Sequence, residues 1–128
     1  MRNLGIVRCN RVQSMRATFV ELKPFMRFRA AYLDDQSYRS LQIEMMKHPD
    51  AGDVIPGTGG LRKLRYMDRN RGKGKRGGLR VINYWRVEAD QFWLFTLYDK
   101  DEASDLSALE RKSLSAMLDR ELDARRLK

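Results

Sequence analysis

The feature that most constrains the fold of this 128-residue chain is a run of glycine and basic residues near its middle. Residues 71 to 78 read RGKGKRGG and separate two runs of strand-like composition, LRKLRYM and LRVINYW. A segment made of charge and glycine has no apolar surface to bury, so it cannot lie in a core. The run therefore predicts a solvent-facing loop between two strands.

The same region carries nearly all of the net charge. Residues 62 to 80 hold nine basic side chains and one acid, a net charge of +8 in a chain whose total is +9. A nearly neutral body with one concentrated cationic segment points to an anionic partner, most often a phosphate backbone. Within the loop, Lys73, Lys75 and Arg76 are predicted to contact phosphate; the alternative is a merely solvated loop.

The remaining composition excludes several kinds of site. Cys9 is the single cysteine and His48 the single histidine, so an intramolecular disulfide, a cysteine-based zinc site and histidine triads are all excluded. We predict no metal and no cofactor. No apolar run approaches the ~20 residues of a membrane span, and the polar N-terminus does not resemble a secretory signal. The protein is expected to be cytoplasmic.

Hydrophobic spacing predicts a helical hairpin in the first half of the chain. A short β-type run at 16–22 precedes Pro24, which suits the first turn of a helix. One apolar stripe then comprises Phe25, Phe28 and Tyr32, and a second comprises Tyr38, Leu41 and Met45. Asp34 or Asp35 can cap the second helix, and Pro49 ends it.

The second half is predicted to contain three strands and one helix. The strands are LRKLRYM, LRVINYWRV and QFWLFTLY, with Trp85, Trp93 and Phe95 assigned to the core. Ser107 and Glu110 form a capping box that opens the last helix. The predicted order is β-α-α-β-β-β-α, an α+β fold in which a mostly antiparallel sheet is packed by the N-terminal hairpin and the C-terminal helix.

Residues 1–14 show no clean hydrophobic period and are predicted to be a tail outside the domain, which spans residues 15–128. The alternative is that Leu4, Ile6 and Val7 form an extra edge strand.

Cations are also predicted to cluster on the sheet itself. Lys63 and Arg65 alternate along one strand and therefore share a face, and Arg80 opens the next strand beside them. A cluster of like charges is unfavourable without an anion, although salt links to carboxylates are the alternative. Tyr98, near Lys100 at the end of the last strand, is a candidate platform for base stacking.

Three blocks of the sequence carry a resemblance to a known family. GDVIPGTGGLRKLR, RGKGKRGGLRVINYW and FTLYDKDEASDLS resemble the RelE/ParE superfamily of bacterial toxins, and specifically its HigB type. The similarity extends from Met15 to about Leu122. The resemblance implies a ribosome-dependent messenger-RNA endonuclease that is silenced by a cognate antitoxin, expected to be a helix-turn-helix protein.

The resemblance also implies roles for individual residues. The family's strand cations fall on Lys63 and Arg65, the arginine opening the following strand on Arg80, and the cation after the last strand on Lys100. Lys63 is the candidate general base, Arg65 and Arg80 stabilise the phosphate, and Lys100 assists the leaving group or holds the backbone. Additional RNA or ribosome contacts are assigned to Arg62, Lys73, Lys75, Arg76 and Tyr98.

One departure concerns the stacking tyrosine, which in RelE lies near the start of the last helix; the corresponding DLSALE has none. Tyr98 or ribosomal RNA would then supply the stacking. Two alternatives stay open, a ParE-like inhibitor of DNA gyrase without enzymatic activity and a non-catalytic nucleic-acid-binding module.

Overall fold

The computed structural model describes residues 2–8, 16–67, 78–103 and 105–126. Its elements follow in the order β1 (Arg2–Arg8), β2 (Arg16–Glu21), α1 (Lys23–Tyr32), α2 (Asp35–Lys47), β3 (Asp53–Val54), β4 (Arg62–Tyr66), β5 (Leu79–Arg86), β6 (Gln91–Asp99) and α3 (Ala108–Arg126). The predicted order of seven elements is confirmed in β2 to α3, and the short strand β3 is an addition. No helix in the described ranges combines the length and apolarity needed to span a bilayer.

The strands form one sheet in the order β1-β2-β6-β5-β4-β3. The pair β2–β6 is parallel and the other four pairs are antiparallel. The chain therefore crosses from β2 through the helical hairpin to the far edge, and returns through β4 and β5 to place β6 beside β2. The mostly antiparallel α+β sheet predicted from the sequence is confirmed.

The N-terminal segment differs from the predicted tail. Arg2–Arg8 pairs with β2 from Arg2 opposite Glu21 to Arg8 opposite Arg16, with a shift of register between Asn3 and Ile6. The edge strand, which the sequence left as the alternative, is thus the observed arrangement. Its physical basis is the free edge of β2, since the backbone groups on that side of an edge strand have no other partner within the sheet.

Helices cover both faces of the sheet. The first core lies under α1 and α2 and joins Phe25, Leu41 and Met45 to sheet residues such as Val81 and Leu94. The second core lies under α3 and joins Leu114 and Leu118 to Ile82, Trp93 and Phe95. Trp93 and Phe95 are fully buried as predicted, and Trp85 packs partly buried against the first core.

The helix ends follow the predicted capping chemistry. Of the two aspartates considered for α2, Asp34 is the cap, because its Oδ1 accepts a 2.7 Å hydrogen bond from the Ser37 amide. The capping box at α3 is reciprocal. The Ser107 amide donates to Glu110 at 2.8 Å and the Glu110 amide donates to the Ser107 hydroxyl at 3.1 Å. These bonds fix the direction in which α3 leaves the sheet.

One predicted apolar stripe is only partly buried. Phe25 lies in the first core, but Phe28 of the same helix is 41% exposed. The apolar stripe of α1 is therefore wider than the surface that covers it.

Candidate nucleic-acid interface

The basic loop leaves and re-enters the sheet at one end. Lys73, Lys75 and Arg76 lie outside the described residues, but the flanking residues Met67 and Gly78 fix where the loop begins and ends. Gly78 has a φ of +56°, and a Cβ there would meet the Tyr66 carbonyl oxygen at 2.5 Å. Glycine is therefore required where the chain re-enters the sheet as β5.

Three predicted site residues form a row across neighbouring strands at this end. Arg65 of β4 lies opposite Arg80 of β5, and Arg80 lies opposite Tyr98 of β6. Adjacent strands are about 4.8 Å apart, so the three residues are direct neighbours on one face. We call Arg65, Arg80 and Tyr98 the cross-strand row. It lies on the sheet face that α3 covers, because Ile82 and Tyr98 both pack in the second core.

A bulge in the hairpin brings Tyr98 to this face. The pairing of β5 and β6 shifts register between Ile82 and Asn83. Trp93, Phe95 and Tyr98 consequently pack on the second core, whereas Leu97 packs on the first. Strict alternation from Phe95 would instead have placed Leu97 on the α3 face and Tyr98 on the opposite one.

The two arginines of the row differ sharply in burial. Arg65 is exposed, whereas Arg80 is only 4% exposed. The Arg80 Nη1 donates a long 3.4 Å hydrogen bond to the Leu79 carbonyl, among other interactions of this side chain. Arg80 therefore presents a guanidinium fixed by its surroundings, whereas Arg65 presents a solvated one.

Lys63 lies on the same face as Arg65 but has a carboxylate partner. Its Nζ lies 3.3 Å from Asp105 Oδ1, in the segment between β6 and α3. The sequence predicted a cluster of cations around Lys63, the candidate general base, and the structure places an acid beside it. The alternative of a salt link therefore applies to Lys63, and the pair contains a second candidate proton acceptor in Asp105.

Asp105 is held in its ionised form. Hydrogen bonding to the Leu106 amide, at 2.7 Å, holds its pKa below the usual range, and the hydrogen bond and charge of Lys63 act in the same direction. The positive charge of Arg111 adds to this effect. Asp105 is thus a charged carboxylate at the edge of the cationic face.

The Tyr98 hydroxyl is unusually placed. Among the described residues, its oxygen is buried and has no hydrogen-bond partner. Burial raises the pKa of Tyr98, and the charge of Asp105 raises it further, while Arg80 acts in the opposite direction. The phenol therefore keeps its proton near neutral pH and is a hydrogen-bond donor. Base stacking by Tyr98 stays a prediction.

Two predicted contacts fall outside the row. Arg62 lies on the opposite face of β4 from Lys63, and its Nη1 donates a 3.1 Å hydrogen bond to the Gly52 carbonyl. Lys100 is exposed in the turn after β6, and its amide donates to the Gly78 carbonyl at 3.1 Å. Lys100 thus lies beside the end of the basic loop, while the structure separates Arg62 from the other cations.

Sequence reasoning missed Asp105 and Arg111. Both lie after the last strand, where the sequence predicted a capping box but no site residue. The predicted packing of the C-terminal helix on the sheet was the signal that could have identified them. A helix that covers the face carrying Lys63 brings the residues around its first turn close to that face.

Comparison with known proteins finds a similarity of structure and no family match. No protein-family profile matches the chain. Among solved structures, it is similar to the toxin RelE of E. coli, in a form with two arginine-to-alanine substitutions in the free state. The identity is 10% and the TM-score 0.47, and the alignment covers 77% of this chain and 93% of RelE.

Proposed function

We propose that this protein is the toxin of a type II toxin-antitoxin system, of the HigB type within the RelE/ParE superfamily, and that it cleaves messenger RNA on the ribosome. The observation that carries the proposal is the cross-strand row of Arg65, Arg80 and Tyr98 beside a basic glycine-rich loop. The resemblance of the GTGGLRK and GKGKRGG blocks to the HigB branch supports the same assignment.

The chemistry follows from the substrate. RNA supplies its own nucleophile, the 2′-hydroxyl, whose oxygen bonds to the adjacent phosphorus as the bond to the 5′-oxygen breaks. The products are a 2′,3′-cyclic phosphate and a 5′-hydroxyl. One proton must leave the 2′-oxygen, one must reach the 5′-oxygen, and the charge on the phosphate must be stabilised in between.

The residues of the site can supply each need. Arg80, fixed by burial, and Arg65, opposite it, stabilise the phosphate through guanidinium hydrogen bonds. The Lys63–Asp105 pair supplies the proton acceptor, through Lys63, as the resemblance implies, or through the Asp105 carboxylate. Lys100 holds the backbone or assists the leaving group. In this scheme neither metal nor cofactor takes part.

The partners follow from the same assignment. The loop cations Lys73, Lys75 and Arg76 contact ribosomal or messenger RNA phosphates, and a helix-turn-helix antitoxin keeps the toxin silent in the cytoplasm until it is released. The ribosome supplies the geometry of the messenger, and the toxin supplies charge and proton transfer.

An in vitro translation reaction with mapping of messenger 5′ ends tests the proposal. New ends inside codons, seen only when ribosomes are present, are expected. Inhibition of DNA gyrase without new messenger ends would favour the ParE-like alternative. RNA binding with neither effect would favour a non-catalytic binding module.

A further inference from the structure

A cleft of about 460 Å³ lies beside the cationic face. It is lined by the β3 edge, by Lys63 of β4, by Asp105 in the segment before α3 and by Arg111 in the first turn of α3. Small-molecule sites typically have about 300–1,000 Å³, so the cleft is large enough for one nucleoside. Lys63 is shared between the cleft and the face that carries Arg65.

The charge of the cleft is balanced, which distinguishes it from the cross-strand row. Its charged lining comprises Asp53, Lys63, Asp105 and Arg111. Lys63 is already engaged with Asp105 at 3.3 Å. A cleft with equal numbers of acids and bases does not favour a bare phosphate, but it offers acceptors and donors to the hydroxyls and base edges of a neutral polar group.

One wall of the cleft is apolar and partly exposed. Val54, which is 52% exposed, and Pro56 line it together with the more buried Ile55. A flat base can pack against such a wall while its polar edge meets the charged side chains.

The apolar wall is held rigidly. The buried Thr58 hydroxyl donates to the Ile55 carbonyl at 2.6 Å and accepts from the Leu61 amide at 3.2 Å. The Ile55 amide in turn donates to the Leu61 carbonyl at 2.8 Å. The PGTGG segment, which the proposed chemistry does not use, therefore fixes the shape of the cleft before any ligand arrives.

We infer that this cleft binds one ribonucleoside of the RNA, directly beside the phosphate that Arg65 and Arg80 hold. The inference rests on the proposed function. Lys63 and Arg65 are two residues apart, about 6.6 Å along the strand, which is close to the length of one nucleotide. Arg111 is then a further binding residue, which donates hydrogen bonds to the nucleoside from the α3 side.

Titration of the isotope-labelled full chain with the four ribonucleoside 3′-monophosphates, followed by NMR, tests the inference. At least one nucleotide should shift the amide signals of Val54 and Arg111, which lie on two walls of the cleft away from Arg65, and inorganic phosphate should shift neither. Equal shifts with inorganic phosphate, or no shifts around the cleft with any nucleotide, would overturn it.

Substitutions provide the matched control. Arg111→Gln should weaken nucleotide binding about tenfold, the effect of losing one hydrogen bond from a charged group. Lys112→Gln makes the same change of charge at the next, exposed position of α3, outside the cleft lining, and should leave binding unchanged. Equal weakening by both substitutions would mean a general charge effect and contradict the inference.

Arg111 Nη1 donates a 3.4 Å hydrogen bond to the Leu106 carbonyl, so Arg111→Gln also removes a contact at the start of α3. A second variant, on the other side of the cleft, controls for that loss. Val54→Ser removes an exposed apolar side chain of the opposite wall and should also weaken binding. An assay of messenger cleavage distinguishes failure of the inference from failure of the proposed function. Cleavage by a protein whose cleft binds no nucleotide refutes only the inference, whereas nucleotide binding in the cleft without cleavage refutes the proposed function.

Discussion

Arg65 and Arg80 face each other across β4 and β5, yet the first is exposed and the second is buried. Neighbouring arginines repel each other, and burial of one of them adds a cost of desolvation. Arg80 has further interactions within the fold, so its burial does not by itself require an anion. The pair places one fixed and one solvated guanidinium side by side, which is the arrangement that we propose to hold a phosphate.

The two arginines should differ in their contribution to stability. Arg80→Ala removes a buried side chain and should lower the free energy of unfolding by roughly 1–2 kcal/mol, or several degrees in Tm. Arg65→Ala should leave Tm nearly unchanged, because its side chain is exposed. Thermal melts of the two variants check this, and equal melting temperatures would show that Arg80 contributes no packing.

The alkaline limb of the stability curve should depend on Tyr38. Burial raises the pKa of Tyr38 well above 10, and its 2.6 Å hydrogen bond to the buried Glu21 raises it further. The unfolded chain releases this proton near pH 10, whereas the folded chain retains it, so the stabilisation is complete below pH 10 and is lost as pH rises beyond that value.

Denaturant unfolding between pH 8 and 11 measures the effect of Tyr38. The free energy of unfolding of the wild type should fall above about pH 10, and that of Tyr38→Phe should fall less steeply with pH. At pH 7 the same variant should lose about 1–3 kcal/mol, because Glu21 would lose this hydrogen bond in a buried position. Identical alkaline slopes for both proteins would contradict the assignment.

Removal of residues 1–14 should destabilise the domain. A protein that starts at Met15 lacks β1 and leaves one edge of β2 unpaired. We expect a fall of several degrees in Tm, about 1 kcal/mol for a domain of this size, and a greater tendency to self-associate through the exposed edge. Superimposable melting curves would instead support the prediction that these residues are a tail outside the domain.

The basic loop should control the salt dependence of RNA binding. Replacement of Lys73, Lys75 and Arg76 by serine should reduce the slope of log affinity against log salt by about 2, at ~0.7 per lost single-strand phosphate contact. Thermal stability should change little, since a glycine-rich charged loop buries little. An unchanged slope in a fluorescence-anisotropy salt titration would mean that the loop is only solvated.

Local sequence signals were sufficient for most of the fold. Capping at Ser107, the proline boundaries and the apolar runs predicted the order of seven elements, because these are local effects of backbone chemistry. The strand β1 was only the alternative, on Leu4, Ile6 and Val7, since its formation depends on a free sheet edge provided by β2. Propensity in residues 2–8 alone carries no information about that edge.

The candidate site was only partly predictable. Alternation along β4 correctly grouped Lys63 with Arg65, and it equally implied that Arg62 lies on the other face. Tyr98 reaches the same face only through a bulge, and Asp105 approaches Lys63 only because α3 packs over the sheet. Both are tertiary effects with no local sequence signal.

The most direct measurement is the single-turnover rate of messenger cleavage on programmed ribosomes, compared for the wild type, Arg65→Ala and Arg27→Ala. Arg27 is exposed on α1, on the face opposite the cross-strand row, and provides a control for lost charge. The account predicts that Arg65→Ala slows cleavage about 10²–10³-fold, while Arg27→Ala cleaves at the wild-type rate. Equal rates for all three proteins, or no cleavage by the wild type, would contradict it.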